Sequence, residues 1–416
     1  MSKAFEISKR QVWEAWKAVK GNKGAPGIDG QSIEDFESHL GDNLYKIWNR
    51  MSAGSYFPPP VRGVEIPKKN GGSRLLGIPT VSDRIAQTVA QRILEKELEP
   101  HFHPDSYGYR PGKSALDAVA ITRERCWKMD WVLEFDVRGL FDNISHELLL
   151  RAVRHHNIEY WVVMYVERWL KASIRLPDGS LCSRNAGTPQ GGCVSPVLAN
   201  LFMHYTFDAW MKRTYPQVLW CRYADDGLVH CRTHKDAVEL LEALTSRFTE
   251  CGLELHPEKT KIVYCGDSNR KQRFEQRKFS FLGYEFRSRV VKSRGSSDLF
   301  MGFTPAICPK ALKAVRTDIK ECFAILGTHV PLSTVVQLFN PKLRGWLTYY
   351  GRFNRSALAA LSLYFNQSLM NWARHKFGKL FKRRWARWKW LHHRFKENPH
   401  LFVNWKVFKV CSTGAG

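Results

Sequence analysis

The sequence predicts an α+β chain that closes in an all-helical, strongly basic module. Three observations carry this. Between residue 66 and about 290, strand-like apolar runs alternate with amphipathic helical patterns. From Pro309 onward only helical periodicity remains. Of a net charge of +25, +15 falls in residues 322–416, where sixteen Lys and Arg face a single Glu.

Residues 1–65 hold a helical opening (VWEAWKAVK), a glycine-rich loop (GNKGAPGIDG) and the break YFPPP. In 66–290 the expected strands are WVLEFDV (131–137), the two arms around YADD, and FSFLGYEF (279–286). DRIAQTVAQRILEKEL and KDAVELLEALTSRF between them carry apolar positions at helical spacing. RSRVVKSRGSSDLFMGFTP (287–305) reads as a linker or mobile loop. Residues 306–396 hold three helical patterns, ALKAVRTDIKECFAIL, STVVQLFN and SALAALSLYFNQSLMNWARHKF, and 397–416 form a basic tail.

With 44% hydrophobic residues the chain is expected to be globular. No apolar run approaches the ~20 residues that cross a bilayer, and the charged N-terminus is unlike a secretory signal. Ten cysteines stand singly from Cys126 to Cys411 without a CxxC pair. That spacing argues against structural zinc and for a reducing cytoplasm. A segment so poor in acids as 322–416 repels itself unless a polyanion compensates, so nucleic acid is the expected partner.

The chemistry centres on RYADDGLVHC, read as a strand, a turn at Asp-Gly and a returning strand. Alone, Asp225 and Asp226 could simply decorate a turn. Upstream, EFDVRGLFDNI (134–144) ends an apolar strand in a third carboxylate, Asp136. If the strands are neighbours the three converge, which is untenable in a dry site without cations. Two Mg²⁺ ions ~3.5–4 Å apart are what in-line phosphoryl or nucleotidyl transfer requires.

YADD (223–226) resembles the catalytic turn of reverse transcriptases, and more specifically of those encoded by bacterial group II introns. Further blocks resemble that family in order: IPKKNGGSRLLGIPTVSDR (66–84), SYGYRPGKSALDAV (106–119), EFDVRGLFDNI, GTPQGGCVSPVLANLF (187–202), LELHPEKTKIV (253–263), FSFLGYEF and PKLRGWLTYYGRFN (341–354). The resemblance implies a right-hand polymerase, with fingers and an antiparallel palm sheet followed by a helical thumb or maturase domain. It implies RNA-directed DNA synthesis with two Mg²⁺ ions, an RNA template, a DNA or RNA primer and deoxynucleoside triphosphates. Structured group II intron RNA is a further implied partner.

The resemblance makes Asp136, Asp225 and Asp226 the catalytic metal ligands. Lys68 and Arg74, otherwise a solvated basic loop, are to fold over the incoming triphosphate. Phe141, otherwise a core ring opening a helix, is to lie under the sugar and reject a 2′-OH. Gln190 is to lie beside the nucleotide, with Gly191 where backbone approaches template and primer; Ser195 is expected to cap the following helix and Pro196 to open it. Lys259, otherwise an exposed helix-end cation, matches a lysine near the leaving pyrophosphate. Arg84 and Arg110 are expected to support the template or the fingers, and Gly283 to approach the primer end.

In RHKFGKLFKRRWARWKWLHHRFK (374–396), Arg383, Arg384, Arg387 and Lys389 interleave with Trp385, Trp388 and Trp390 as phosphate contacts and stacking rings, with Arg344 alongside; at least one Trp is expected to pack inward. The chain departs from the family at Leu140, where an aromatic is common, at His256, which replaces a frequent Asn, and at Gly227, which is expected to loosen the turn. No Cys-pair and His-Asn-His endonuclease module follows, so mobility would draw its primer from elsewhere. Two other readings are a splicing cofactor that only binds intron RNA and a free-standing polymerase in DNA repair or defence.

Overall fold

The computed structural model describes residues 3–67, 73–292, 298–378 and 383–410. They fall into two compact units, 1–118 with 133–262, and 119–132 with 263–416.

The described strands form three sheets. In the first unit, β1 (Val61–Pro67) pairs antiparallel with β2 (Ser73–Ile78), and a four-stranded sheet of order β2-β1-β4-β5 is completed by β4 (Ile174–Arg175) and β5 (Leu181–Cys182). The sheet that matters for function has the order β6-β7-β3-β8, from β6 (Leu219–Tyr223), β7 (Asp226–Cys231), β3 (Trp131–Asp136) and β8 (Lys261–Tyr264). It belongs to the first unit apart from the first two residues of β3 and the last two of β8. Its buried face carries Phe135, whose ring packs against Phe207 and Phe248 with centroids 5.1 and 5.7 Å away.

The helix Val81–Leu98 in the same unit is buried along nearly its whole first half. Asp83 there is fully buried and accepts hydrogen bonds from Tyr56, Gln87 and Trp169. Burial still pushes its pKa up against those three donors.

In the second unit β9 (Lys278–Phe281), β10 (Tyr284–Lys292) and β11 (Leu299–Ile307) form an antiparallel sheet of order β11-β10-β9. Residues 287–305, expected as a linker, are thus largely strand. Their alternation is masked by Arg287 and Lys292, which are exposed, and by Arg289, whose side chain is mostly buried and donates to the Thr304 carbonyl. The three expected helices follow at Pro309–Ile325, Leu332–Tyr350 and Ala359–Phe377, then Arg384–Glu397 and Val403–Val407. The second helix runs on through Pro341, beyond the STVVQLFN pattern, to Tyr350. Its core holds Phe339, Leu343, Phe365, Leu369 and Trp405. Among the described residues no helix is long and apolar enough to cross a membrane.

Candidate active site

The register of β6 and β7 sets the site. Tyr223 faces Asp226 and Arg222 faces Gly227. The two-residue turn is therefore Ala224-Asp225, two residues earlier than the Asp-Gly reading placed it. Ala224 takes a φ of +57°, the left-handed conformation that glycine ordinarily fills at the first position of such turns. An alanine there costs about 1–2 kcal/mol. Gly227 is not a loosening residue. A Cβ on it would collide with the Phe135 ring, so its bareness lets β3 and β7 close tightly.

Asp136 ends β3 beside this tip. The Val137 amide donates to the Asp225 carbonyl at 3.2 Å, and the His256 amide donates to the Asp136 carbonyl at 2.8 Å. Burial pushes the Asp225 carboxyl up, and the Asp136 charge adds to it. Asp226 is pushed further up, by burial first and then by the charges of Asp225 and Asp136. The cation present is Lys259, whose Nζ lies 2.9 Å from Asp136 Oδ2.

Among the described residues, no three Asp, Glu, His or Cys side chains already stand as a closed ligand set. The chemistry of the donors nonetheless fits hard divalent cations. They are carboxylate oxygens only, burial makes Asp225 and Asp226 resist ionisation, and one ammonium, Lys259, pairs with Asp136.

The GTPQGG loop is held against the helix Leu140–Asn143 by backbone docking. Gly187, at φ +79°, lies so close to the carbonyls of Phe141 and Asp142 that a Cβ would clash with both. The Thr188 amide donates to the Phe141 carbonyl at 2.7 Å. This brings Gln190 to Asp142, with its side-chain amide 3.2 Å from both carboxylate oxygens. Gly191, at φ +118°, packs on the Gly77 carbonyl of β2, and Gly77 N–H donates to the Gln190 carbonyl at 2.8 Å. Its bareness is thus used against the protein's own backbone. Ser195 is the first helical residue rather than the cap, and its hydroxyl donates to the Pro189 carbonyl at 2.8 Å.

Phe141 is half-buried, edge-on to Tyr109 at 6.5 Å between centroids. Tyr109 was missed by the sequence reading although it lies in SYGYRPG. Burial raises its hydroxyl, and the charges of Asp225 and Asp226 add to this while Arg74 opposes it, so the phenol and Arg74 share the carboxylates' surroundings. Arg74 is exposed on β2, and Lys68 lies outside the described residues.

Arg110 does not reach outward. Its guanidinium is 5% exposed, paired with Glu99 at 2.7 Å, and donates to the carbonyls of His103 and Ser106 at 2.6 and 2.7 Å. Its donors are consumed inside the fold, so the expected template contact is replaced by a structural one. In the second unit Gly283, at φ +80°, forms with Leu282 (φ +51°) the turn between β9 and β10, and packs on Tyr350. Arg344, Arg383, Arg384 and Lys389 are exposed, whereas Arg387 donates to Asn371 at 3.0 Å. Trp388 and Trp390 pack against the helical core and Trp385 stays 58% exposed.

A mixed α+β unit presenting a carboxylate-bearing hairpin beside the end of a neighbouring strand defines the class. Residues 66–286 match the family described as reverse transcriptase (RNA-dependent DNA polymerase), and the chain belongs to that family. Residues 312–405 match the group II intron maturase-specific domain. Protein YkfC of Escherichia coli K12 is 30% identical over 65% of this chain and 76% of that protein. Group II intron-encoded protein LtrA of Lactococcus lactis is 34% identical over 74% of this chain and 63% of that protein. Among solved structures, apo telomerase from Candida tropicalis, truncated from the C-terminal domain, aligns with a TM-score of 0.43 at 14% identity, over 55% of this chain and 53% of that one. Reverse transcriptases generally use divalent metal ions.

Proposed function

We propose that this chain is an RNA-directed DNA polymerase that extends a DNA or RNA primer on an RNA template with deoxynucleoside triphosphates. We further propose that its maturase region binds structured group II intron RNA and assists splicing and mobility. The observation that carries the reading is the meeting of Asp136 with Asp225 and Asp226 at the tip of the β6–β7 hairpin, where burial and mutual repulsion leave the acids short of cations.

Asp136, Asp225 and Asp226 would hold two Mg²⁺ ions, which when bound would lower the pKa of the attacking hydroxyl and neutralise charge building on the phosphate. Lys259, paired with Asp136 at the mouth of the site, acts as the general acid towards the departing pyrophosphate. Arg74, with Lys68, clamps the triphosphate. Phe141 excludes a ribose 2′-OH, and Gln190 orients the nucleotide from the loop that Gly191 anchors. Arg344, Arg383, Arg384, Arg387 and Lys389 track nucleic-acid phosphates, with Gly283 at the primer end.

Primer extension on an RNA template with Mg²⁺ tests this. Wild type extends. Asp225→Asn loses at least ~10³-fold in rate, about 4 kcal/mol of transition-state stabilisation, and binds RNA as wild type does. A wild type that binds RNA tightly and extends no primer makes the chain a splicing cofactor instead.

A further inference from the structure

Arg222, the residue two before the turn, is wholly buried, as is Asp208. Its Nε and Nη2 donate to the two oxygens of Asp208 at 2.8 and 2.7 Å. Nη2 also donates to Ser106 Oγ at 2.8 Å, and Nη1 to Asn200 Oδ1 at 3.2 Å. The remaining donation runs from Nη1 to the carbonyl of Ala224 at 3.0 Å. That carbonyl belongs to the peptide that bears the Asp225 nitrogen. Asp208 closes a π-helical turn, His204–Asp208, a widened winding that often marks functional sites.

Around the same turn, Asn200 Nδ2 donates to the Gly108 carbonyl at 2.6 Å. A Cβ on Gly108 would lie 2.5 Å from the Ala224 nitrogen. Residues 105–108 run beside β6, with Tyr107 N–H donating to the Arg222 carbonyl at 2.8 Å.

A buried ion pair is poor value as a stabiliser, because apolar side chains of the same volume usually hold a core as well or better. Here the pair does something apolar side chains cannot. It supplies a rigid donor to the carbonyl of Ala224, the first residue of the two-residue turn, which holds a strained, non-glycine left-handed conformation. We propose that Arg222, braced by Asp208 and Asn200, is a positioning residue that fixes the Ala224–Asp225 peptide and thereby aims Asp225 into the active site. The inference rests on the polymerase reading given above.

The test compares wild type, Arg222→Lys, Asn200→Ala and Asp225→Asn in single-nucleotide extension at saturating and limiting Mg²⁺. Thermal unfolding, RNA affinity and Mn²⁺ titration by electron paramagnetic resonance without nucleic acid accompany it. Arg222→Lys keeps a cation but loses the planar fork. It is expected to lower kcat at least ~30-fold at unchanged KM for the primer–template, to weaken Mn²⁺ binding several-fold, and to leave RNA affinity intact. Folded Arg222→Lys with wild-type kcat and wild-type Mn²⁺ titration overturns the proposal.

Should Arg222→Lys fail to accumulate folded, Asn200→Ala, which retains the ion pair, decides. A kcat loss of ~3-fold or more at unchanged KM supports the proposal. An unchanged kcat overturns it. An inactive wild type, or an active Asp225→Asn, defeats the polymerase reading itself. Active wild type, dead Asp225→Asn and unperturbed Arg222 and Asn200 variants defeat this inference alone.

Discussion

Phe141 owes its place to its backbone more than to its ring. Its carbonyl accepts from Thr188 and lies under Gly187, so the helix Leu140–Asn143 and the GTPQGG loop are fixed to each other before any ligand arrives. A ring held this way can discriminate by shape. Phe141→Val is expected to lower the preference for deoxy- over ribonucleotides by about 10-fold or more, read as the ratio of kcat/KM values in single-nucleotide incorporation. An unchanged ratio removes Phe141 as the sugar gate. At this scale the sequence was legible where chemistry is local: Asp136, Asp225 and Asp226 stand out as acids in apolar runs. Arg222 was not legible, because what makes it special is partners at positions 106, 200 and 208. The template contact of Arg110 is ruled out for the same reason, its pairing with Glu99 being invisible along the chain, while support of the fold around it remains.

Among elements, the WVLEFDV strand and both hairpin arms were readable from alternation, and the long helices from their periodicity. The position of the turn was not. Asp-Gly is the stronger local signal, but pairing of Tyr223 with Asp226 puts the bend on Ala224, which tertiary contacts hold in a conformation its own propensity disfavours. The helix His146–His155 and the π-helical turn bring His155, His156 and His204 together with His101 and Glu97 around a polar cavity of about 310 Å³. His156 accepts or donates to Tyr205 Oη at 3.0 Å. Burial first, and then its three histidine neighbours, lower its pKa from 6.5 to about 4.

The folded state therefore takes up this proton less readily than the unfolded chain. Stability contributed here is complete above pH 6.5, falls as pH drops from 6.5 towards 4, and levels off below that. His156→Gln is expected to narrow the gap between melting temperatures measured at about pH 7 and about pH 5. An equal gap in both proteins refutes the assignment.

For the whole molecule, the dominant quantity is charge. The three acids proposed to bind metal lie in the first unit, while residues 322–416 carry sixteen Lys and Arg against one Glu. Much of that surplus belongs to exposed side chains, Arg383, Arg384 and Lys389 among them, rather than to ion pairs that would spend it. Replacing those three with Ala is expected to reduce the slope of log affinity against log salt for single-stranded RNA by about 2, at ~0.7 per phosphate contact. Melting temperature should change little, since all three are exposed. A slope equal to wild type's would show that this helix does not touch phosphate. Composition alone made the partner class legible. The tryptophans needed the fold, which turns Trp388 and Trp390 to the core and leaves Trp385 outside.

The Phe135 ring seated over bare Gly227 also acts as a registration pin. Sliding β7 along β3 by any step would bring a residue with a side chain against that ring, and a one-residue slip would turn every side chain of the strand to the opposite face. The chain thus has one way to thread this pair of strands, and it is the way that brings Asp136 at the end of β3 beside Asp226 at the start of β7.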